Sequence, residues 1–134
     1  MVYEKASVPS ILFVCGHNAG RSQIAEAFAR AFFDPTTKIA SAGTHPAAEI
    51  NPIVVEAMQE AGINMGGQHP KLLTPTMWKD DTRVIGMGSN VQLPSEVQAE
   101  NWQIEDPHGQ TLETIRKIRD SIKERVQQLL LEYR

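Results

Sequence analysis

Cysteine is almost missing from this chain of 134 residues: Cys15 is the only one. A single thiol cannot close an internal disulfide, so the core alone must hold the fold, and a reducing cytoplasm is the expected setting. Long hydrophobic runs are missing too. No apolar stretch approaches the roughly 20 residues that cross a bilayer, so no membrane span is expected. The start, Met1-Val2-Tyr3-Glu4-Lys5, lacks the basic lead and apolar core of a signal peptide. Nor is there an excess of positive charge. The net charge of -3 argues against a nucleic-acid surface or a polybasic membrane anchor. No histidine, cysteine or carboxylate cluster has metal-ligand spacing, so no metal site is expected. Internal repeats and low-complexity segments are also lacking.

What is present is a globular composition, with 41% hydrophobic and 22% charged residues, and a length that suits one domain with a real core. Residues 1–9 read as an extended lead-in and 10–134 as the domain. Four short apolar strands are predicted, near Ser10–Val14, Lys38–Gly43, Arg83–Met87 and Asn101–Glu105. Helices are predicted from Arg21 to Phe33, from Asn51-Pro52 to Gly62, briefly at Pro75–Lys79, and from Thr111 to Glu132. Their apolar stripes repeat at helical spacing, as in Leu112, Ile115, Ile118, Ile122, Val126 and Leu129. Strands alternating with helices imply an α/β fold: a single-domain, four-stranded parallel sheet flanked by helices on both faces. In such sheets ligands bind beyond the carboxyl ends of the strands.

The chain is organised around Cys15-Gly16-His17-Asn18-Ala19-Gly20-Arg21-Ser22. The loop joins the end of a buried strand to the start of a helix. A helix start leaves backbone N–H groups unpaired and carries partial positive charge. A glycine-containing loop there can cradle a tetrahedral oxyanion, and Arg21 adds a planar fork of donors. In that field Cys15 is expected as its thiolate, a nucleophile aimed at the central atom of the anion. The competing reading makes Cys15 a buried core thiol and Arg21 a surface charge.

Cysteine, five residues, Arg21 and Ser22, continued as Gln23-Ile24-Ala25-Glu26, resembles the low-molecular-weight protein tyrosine phosphatase family. That family includes the thiol-coupled arsenate reductases. The resemblance implies several roles. Asp106, in Asp106-Pro107, becomes the general acid that protonates the leaving oxygen; otherwise it only caps a turn. Asn18 holds the loop in shape, or simply supplies left-handed backbone. Ser22 donates its hydroxyl to the Cys15 thiolate, caps the helix, or does both. Ser41 and His69 brace the loop from behind, although His69 also reads as a plain structural histidine. His17, His45 and His108 are placed near the mouth without assigned roles. Trp78 and Trp102 read as packing residues.

Two features of the resemblance point to the arsenate-reductase branch. Gln23 stands where the tyrosine phosphatases usually have proline. Asp106-Pro107-His108-Gly109 lacks the aromatic pair that clamps a phosphotyrosine ring. The thioredoxin-coupled reductases, however, carry two further cysteines after strand three. Here that segment is Ile85-Gly86-Met87-Gly88-Ser89-Asn90, so no internal disulfide relay exists. With no bound cofactor expected, the electrons of an arsenate reductase would come from an external thiol, either a small thiol or a glutaredoxin-like protein. Phosphatase chemistry through a phosphocysteine needs nothing that is missing. It remains the second reading, and a non-catalytic oxyanion-binding module the third.

Overall fold

The computed structural model describes residues 10–79, 81–88 and 91–133. The expected lead-in at 1–9 lies outside the described residues. Four strands form one parallel sheet in the order β2-β1-β3-β4: β1 (Ser10–Cys15), β2 (Lys38–Gly43), β3 (Arg83–Met87) and β4 (Ala99–Trp102). Among the described residues there are three α-helices: α1 (Arg21–Phe32) follows β1, α2 (Pro52–Glu60) follows β2 and α3 (Leu112–Leu131) follows β4, whereas β3 leads to β4 without the helix that strict alternation would place there.

The central strand explains the layering. Side chains of β1 alternate across the sheet, and both sets are buried because both faces are covered. Ile11, Phe13 and Cys15 join one apolar cluster; Leu12 and Val14 join the other. The first cluster takes in Ile24 and Phe28 of α1, Val54 and Met58 of α2, and Ile115, Ile122 and Leu129 of α3. All three α-helices therefore share one face. The opposite face is covered by the 3-10 helix Pro75–Trp78 and irregular chain that supplies Leu73, Met77, Leu93 and Val97. Each fully buried large side chain here contributes about 1.5–3 kcal/mol through removal of apolar surface from water.

The helix caps follow the sequence signals. Asn51 accepts from the Ile53 amide at 2.9 Å, and Pro52 opens α2. Thr111 accepts from the Thr114 amide at 3.2 Å and starts α3. Gly62, at φ +80°, follows α2 in the left-handed conformation.

Two boundaries differ from expectation in ways that matter to the site. Strand β1 runs one residue further, so Cys15 is its last residue and pairs with Gly43. Strand β4 is Ala99–Trp102 rather than 101–105, with Trp102 opposite Met87. It is an edge strand whose register is set by β3. From residue 103 the chain leaves the sheet and carries Ile104, Asp106 and Pro107 to the carboxyl end of β1. Trp102 itself packs against Phe13, with ring centroids 5.9 Å apart.

Candidate active site

The loop from Cys15 to Arg21 is fixed by its carbonyls. Those of residues 15–20 all have partners outside the bowl. Thr44, His45, Ala47 and Asn51 donate their amides to Cys15, Gly16, His17 and Ala19 at 3.2, 2.8, 2.9 and 2.9 Å. Gln23 Nε2 donates to the Asn18 carbonyl at 3.0 Å, and the Ile24 amide to Gly20 at 2.9 Å. No peptide bond among the described residues is cis. In a trans peptide the following N–H points opposite to the carbonyl. Six carbonyls drawn outward therefore turn the amides of 16–21 toward the hollow. The amides of residues 16–20 donate to no protein acceptor among the described residues. Such a ring of donors at a helix start is suited to an oxyanion.

Beneath the loop lies a buried network of side-chain hydrogen bonds. The Lys71 amide donates to Asn18 Oδ1 at 2.9 Å, which fixes the orientation of that side-chain amide. Asn18 Nδ2 then donates to Ser22 Oγ at 2.7 Å and Ser41 Oγ at 3.0 Å. Ser22 Oγ lies 2.8 Å from Cys15 Sγ. One of its two acceptor sites is taken by Asn18, and its single proton is free to point at the sulfur, which it would have to do toward an ionised Cys15 because a thiolate can only accept. Ser41 Oγ donates in turn to Glu26 Oε1 at 2.5 Å. Asn18 sits at φ +51°, a left-handed conformation that asparagine tolerates, and is fully buried.

Gln23 completes the support. It donates to Asn18 Oδ1 and to the His69 carbonyl, both at 3.0 Å, and accepts from Gln68 Nε2 at 2.7 Å. Glu26 is held by Arg30 at 2.8 Å, with Lys71 Nζ at 3.8 Å. No buried side-chain polar atom is left without a partner among the described residues.

Arg21 and Asp106 meet above the loop. Arg21 Nη1 donates to the Ile104 carbonyl at 3.2 Å, and Nη2 lies 3.8 Å from Asp106 Oδ2. The guanidinium is 13% exposed and the carboxylate 51%. Arg21 rests directly on Gly88, where a Cβ would fall 2.2 Å from Nη1. Gly88, at φ +112°, is thus demanded both by its backbone and by the arginine above it. Pro107 is seated on Gly20: a Cβ at residue 20 would meet Pro107 Cγ at 2.5 Å. The His108 amide donates to Asp106 Oδ1 at 3.0 Å and orients the carboxylate.

Cys15, Arg21, Asp106 and His108 line one small pocket of about 40 Å³. The structure thus brings Cys15, Asn18, Arg21, Ser22, Ser41 and Asp106 together. It separates His69 from them. The imidazole is exposed and makes no hydrogen bond to the loop; only the His69 carbonyl braces it, through Gln23 and, at 3.1 Å, Lys71 Nζ. Gln68 and Gln23 supply the side-chain bracing expected of His69. Sequence reasoning missed Gln68, Glu26, Lys71 and Gly88 as site residues. Gln23 was noticed only for its difference from proline. His17 and His108 face each other across the mouth, with ring centroids 6.2 Å apart. Among the described residues no histidine, cysteine or carboxylate group is arranged to hold a metal, and no helix is long and apolar enough to cross a membrane.

A strand-terminal thiol, a helix-start ring of amides and an overhanging arginine define a cysteine-based oxyanion site on an α/β sheet. The family model described as low molecular weight phosphotyrosine protein phosphatase matches residues 10–93, well over half of the chain. The chain belongs to that family. It is 36% identical over 125 residues to the glutaredoxin arsenate reductase of Synechocystis, covering 90% of this chain and 95% of that protein. Among solved structures it resembles one described as an arsenate reductase in the phosphate binding state, with 34% identity, TM-score 0.82, and 94% and 99% of the two chains covered. It also resembles the thioredoxin-dependent arsenate reductase of Corynebacterium glutamicum, at 34% identity and TM-score 0.75. That alignment covers 92% of this chain but spans only 61% of the other.

Proposed function

We propose that this protein is an arsenate reductase in which Cys15 attacks the bound oxyanion and an external thiol supplies the reducing equivalents. The observation that carries the reading is the pairing of a Ser22-stabilised sulfur with a ring of uncommitted amides, in a chain with no second cysteine. The relatives described as arsenate reductases support it.

Arsenate enters the bowl, where the loop amides and Arg21 share its charge. Cys15 forms a sulfur–arsenic bond, and the departing oxygen takes a proton from Asp106 and leaves as water. An external thiol then attacks Cys15 Sγ. A sulfur–sulfur bond forms, the sulfur–arsenic bond breaks, and its electron pair stays on arsenic. Arsenic(V) becomes arsenic(III), the thiol proton ends on the arsenite oxygen, and the two sulfurs are oxidised together to a mixed disulfide. A second thiol releases Cys15. A glutaredoxin-like protein or a small thiol fits that last role, and a reducing compartment such as the cytoplasm suits the cycle.

The test is arsenite release from arsenate across a panel of donors: none, glutathione, and glutathione with a glutaredoxin. Release that requires a thiol and disappears in Cys15→Ser supports the proposal. Hydrolysis of p-nitrophenyl phosphate without arsenite release under any donor would establish a phosphatase instead. Phosphate binding with neither activity would leave only an oxyanion-binding module.

A further inference from the structure

A second cavity adjoins the Cys15 pocket. It measures about 410 Å³ and shares His17, Arg21 and Asp106 with the smaller one. Its remaining walls come from Gly16, from Thr44 and His45 after β2, and from Val91 and Gln92 after β3. Cys15 lines only the small pocket. The larger cavity therefore opens beside the reacting sulfur without displacing the anion. Its volume falls within the usual range for small-molecule sites. A larger groove beside Glu26, Arg30 and Lys71 does not reach Cys15.

We propose that this second cavity seats the electron donor, and that the donor bound there is a small peptide-like thiol bearing carboxylate and amide groups. This rests on the reductase reading and adds the class and place of its second substrate. The lining fits that chemistry. Arg21 and the imidazoles of His17 and His45 present donors to a carboxylate. Thr44 Oγ1, 3.3 Å from His45 Nδ1, and the Gln92 amide suit peptide groups. Val91 offers one apolar surface. A docked protein thiol fits less well. Protein interfaces draw their affinity from buried aromatic and aliphatic anchors. The large exposed hydrophobics among the described residues are Ile53, Leu72 and Leu131, and none lines either cavity. A thiol seated beside Arg21 and Asp106 lies at the edge of the anion pocket, from which Cys15 Sγ is the sulfur within reach. A glutaredoxin-type protein then acts only afterwards, on the mixed disulfide.

The test uses Gln92→Ala and Gln92→Glu, which touch no part of the oxyanion loop, at saturating arsenate with glutathione varied. The KM for glutathione should rise about tenfold in Gln92→Glu, which sets a carboxylate against the donor's own, and less in Gln92→Ala. The KM for arsenate should stay unchanged, as should the rate with 2-mercaptoethanol, which lacks the groups the cavity would hold. An unchanged glutathione KM overturns the proposal, and so does an equal loss with 2-mercaptoethanol. A separate binding measurement keeps it distinct from the reductase reading. S-methylglutathione is titrated into the phosphate-loaded full chain and its Cys15→Ser form. Saturable binding that weakens about tenfold in Gln92→Glu supports the seat even if no donor yields arsenite. Absence of binding in the unsubstituted chain overturns the seat even if arsenite is released.

Discussion

At the scale of single residues, the site depends on which atom holds each proton. Ser22 has one hydroxyl proton and lies 2.8 Å from Cys15 Sγ, so it is the side chain placed to donate to the sulfur once that is ionised. In Ser22→Ala, alkylation of Cys15 by iodoacetamide at neutral pH should slow on the order of tenfold, since a hydrogen bond to a charged group contributes about 1.5–3 kcal/mol. Phosphate, sulfate or arsenate should protect the thiol in the unsubstituted protein. Alkylation no faster than that of free cysteine would remove the case for an activated sulfur. Asp106→Asn should lower ester hydrolysis or arsenate turnover by about 10²–10⁴ while leaving phosphate affinity nearly intact, because an amide cannot supply the proton. That Cys15, Asn18, Arg21 and Ser22 share one loop was legible from the motif, and that Ser41 lies beside it from the family resemblance. Gln68 and Lys71 were not: they reach Gln23 and Asn18 across sequence separations of 45 and 53 residues. No local pattern signals a partner that distant.

At the scale of elements, two loops share one contact. Pro107 lies against Gly20 with no room for a methyl group. Gly20→Ala should therefore cost about 1–3 kcal/mol in overpacking. It should also push the Asp106 segment outward, lowering kcat more than phosphate affinity; a variant with unchanged kcat would show that the two loops act independently. Strands β1, β2 and β3 were readable because a strand buried on both faces is almost continuously apolar. Strand β4 was not. Its residues Ala99-Glu100-Asn101-Trp102 carry one buried side chain, and pairing with β3 decides where the strand stops. The uneven covering of the sheet was hidden for a similar reason: a helical stripe shows that a face is buried, not which side of the sheet buries it.

At the scale of the molecule, α2 and α3 are clamped at the surface by Glu60. It accepts two hydrogen bonds from Arg116, at 2.8 and 2.7 Å, and lies 3.6 Å from Arg119. The Arg116 hydrogen bonds hold the Glu60 carboxyl below its ordinary 4.5. A carboxyl lowered on folding contributes stability above its unfolded value and loses it as pH falls through the folded one. The contribution is small because the pair is exposed and screened by salt. Thermal melts of Glu60→Gln should lie slightly below those of the unsubstituted chain at pH 7 and low salt. The difference should vanish well below pH 4.5 and shrink in high salt. A gap that persists in acid would mean that Glu60 acts through packing.

The segment from Thr44 to Asn51 pulls four of the loop carbonyls outward. Its own backbone thereby dictates the shape of a bowl on whose floor none of its amides lies. Tolerance to substitution should then follow connectivity instead of proximity. A change that kinks residues 44–51 would silence turnover with every reacting side chain still in place, and a survey of variants ranked by distance from the sulfur would misjudge this stretch as spare.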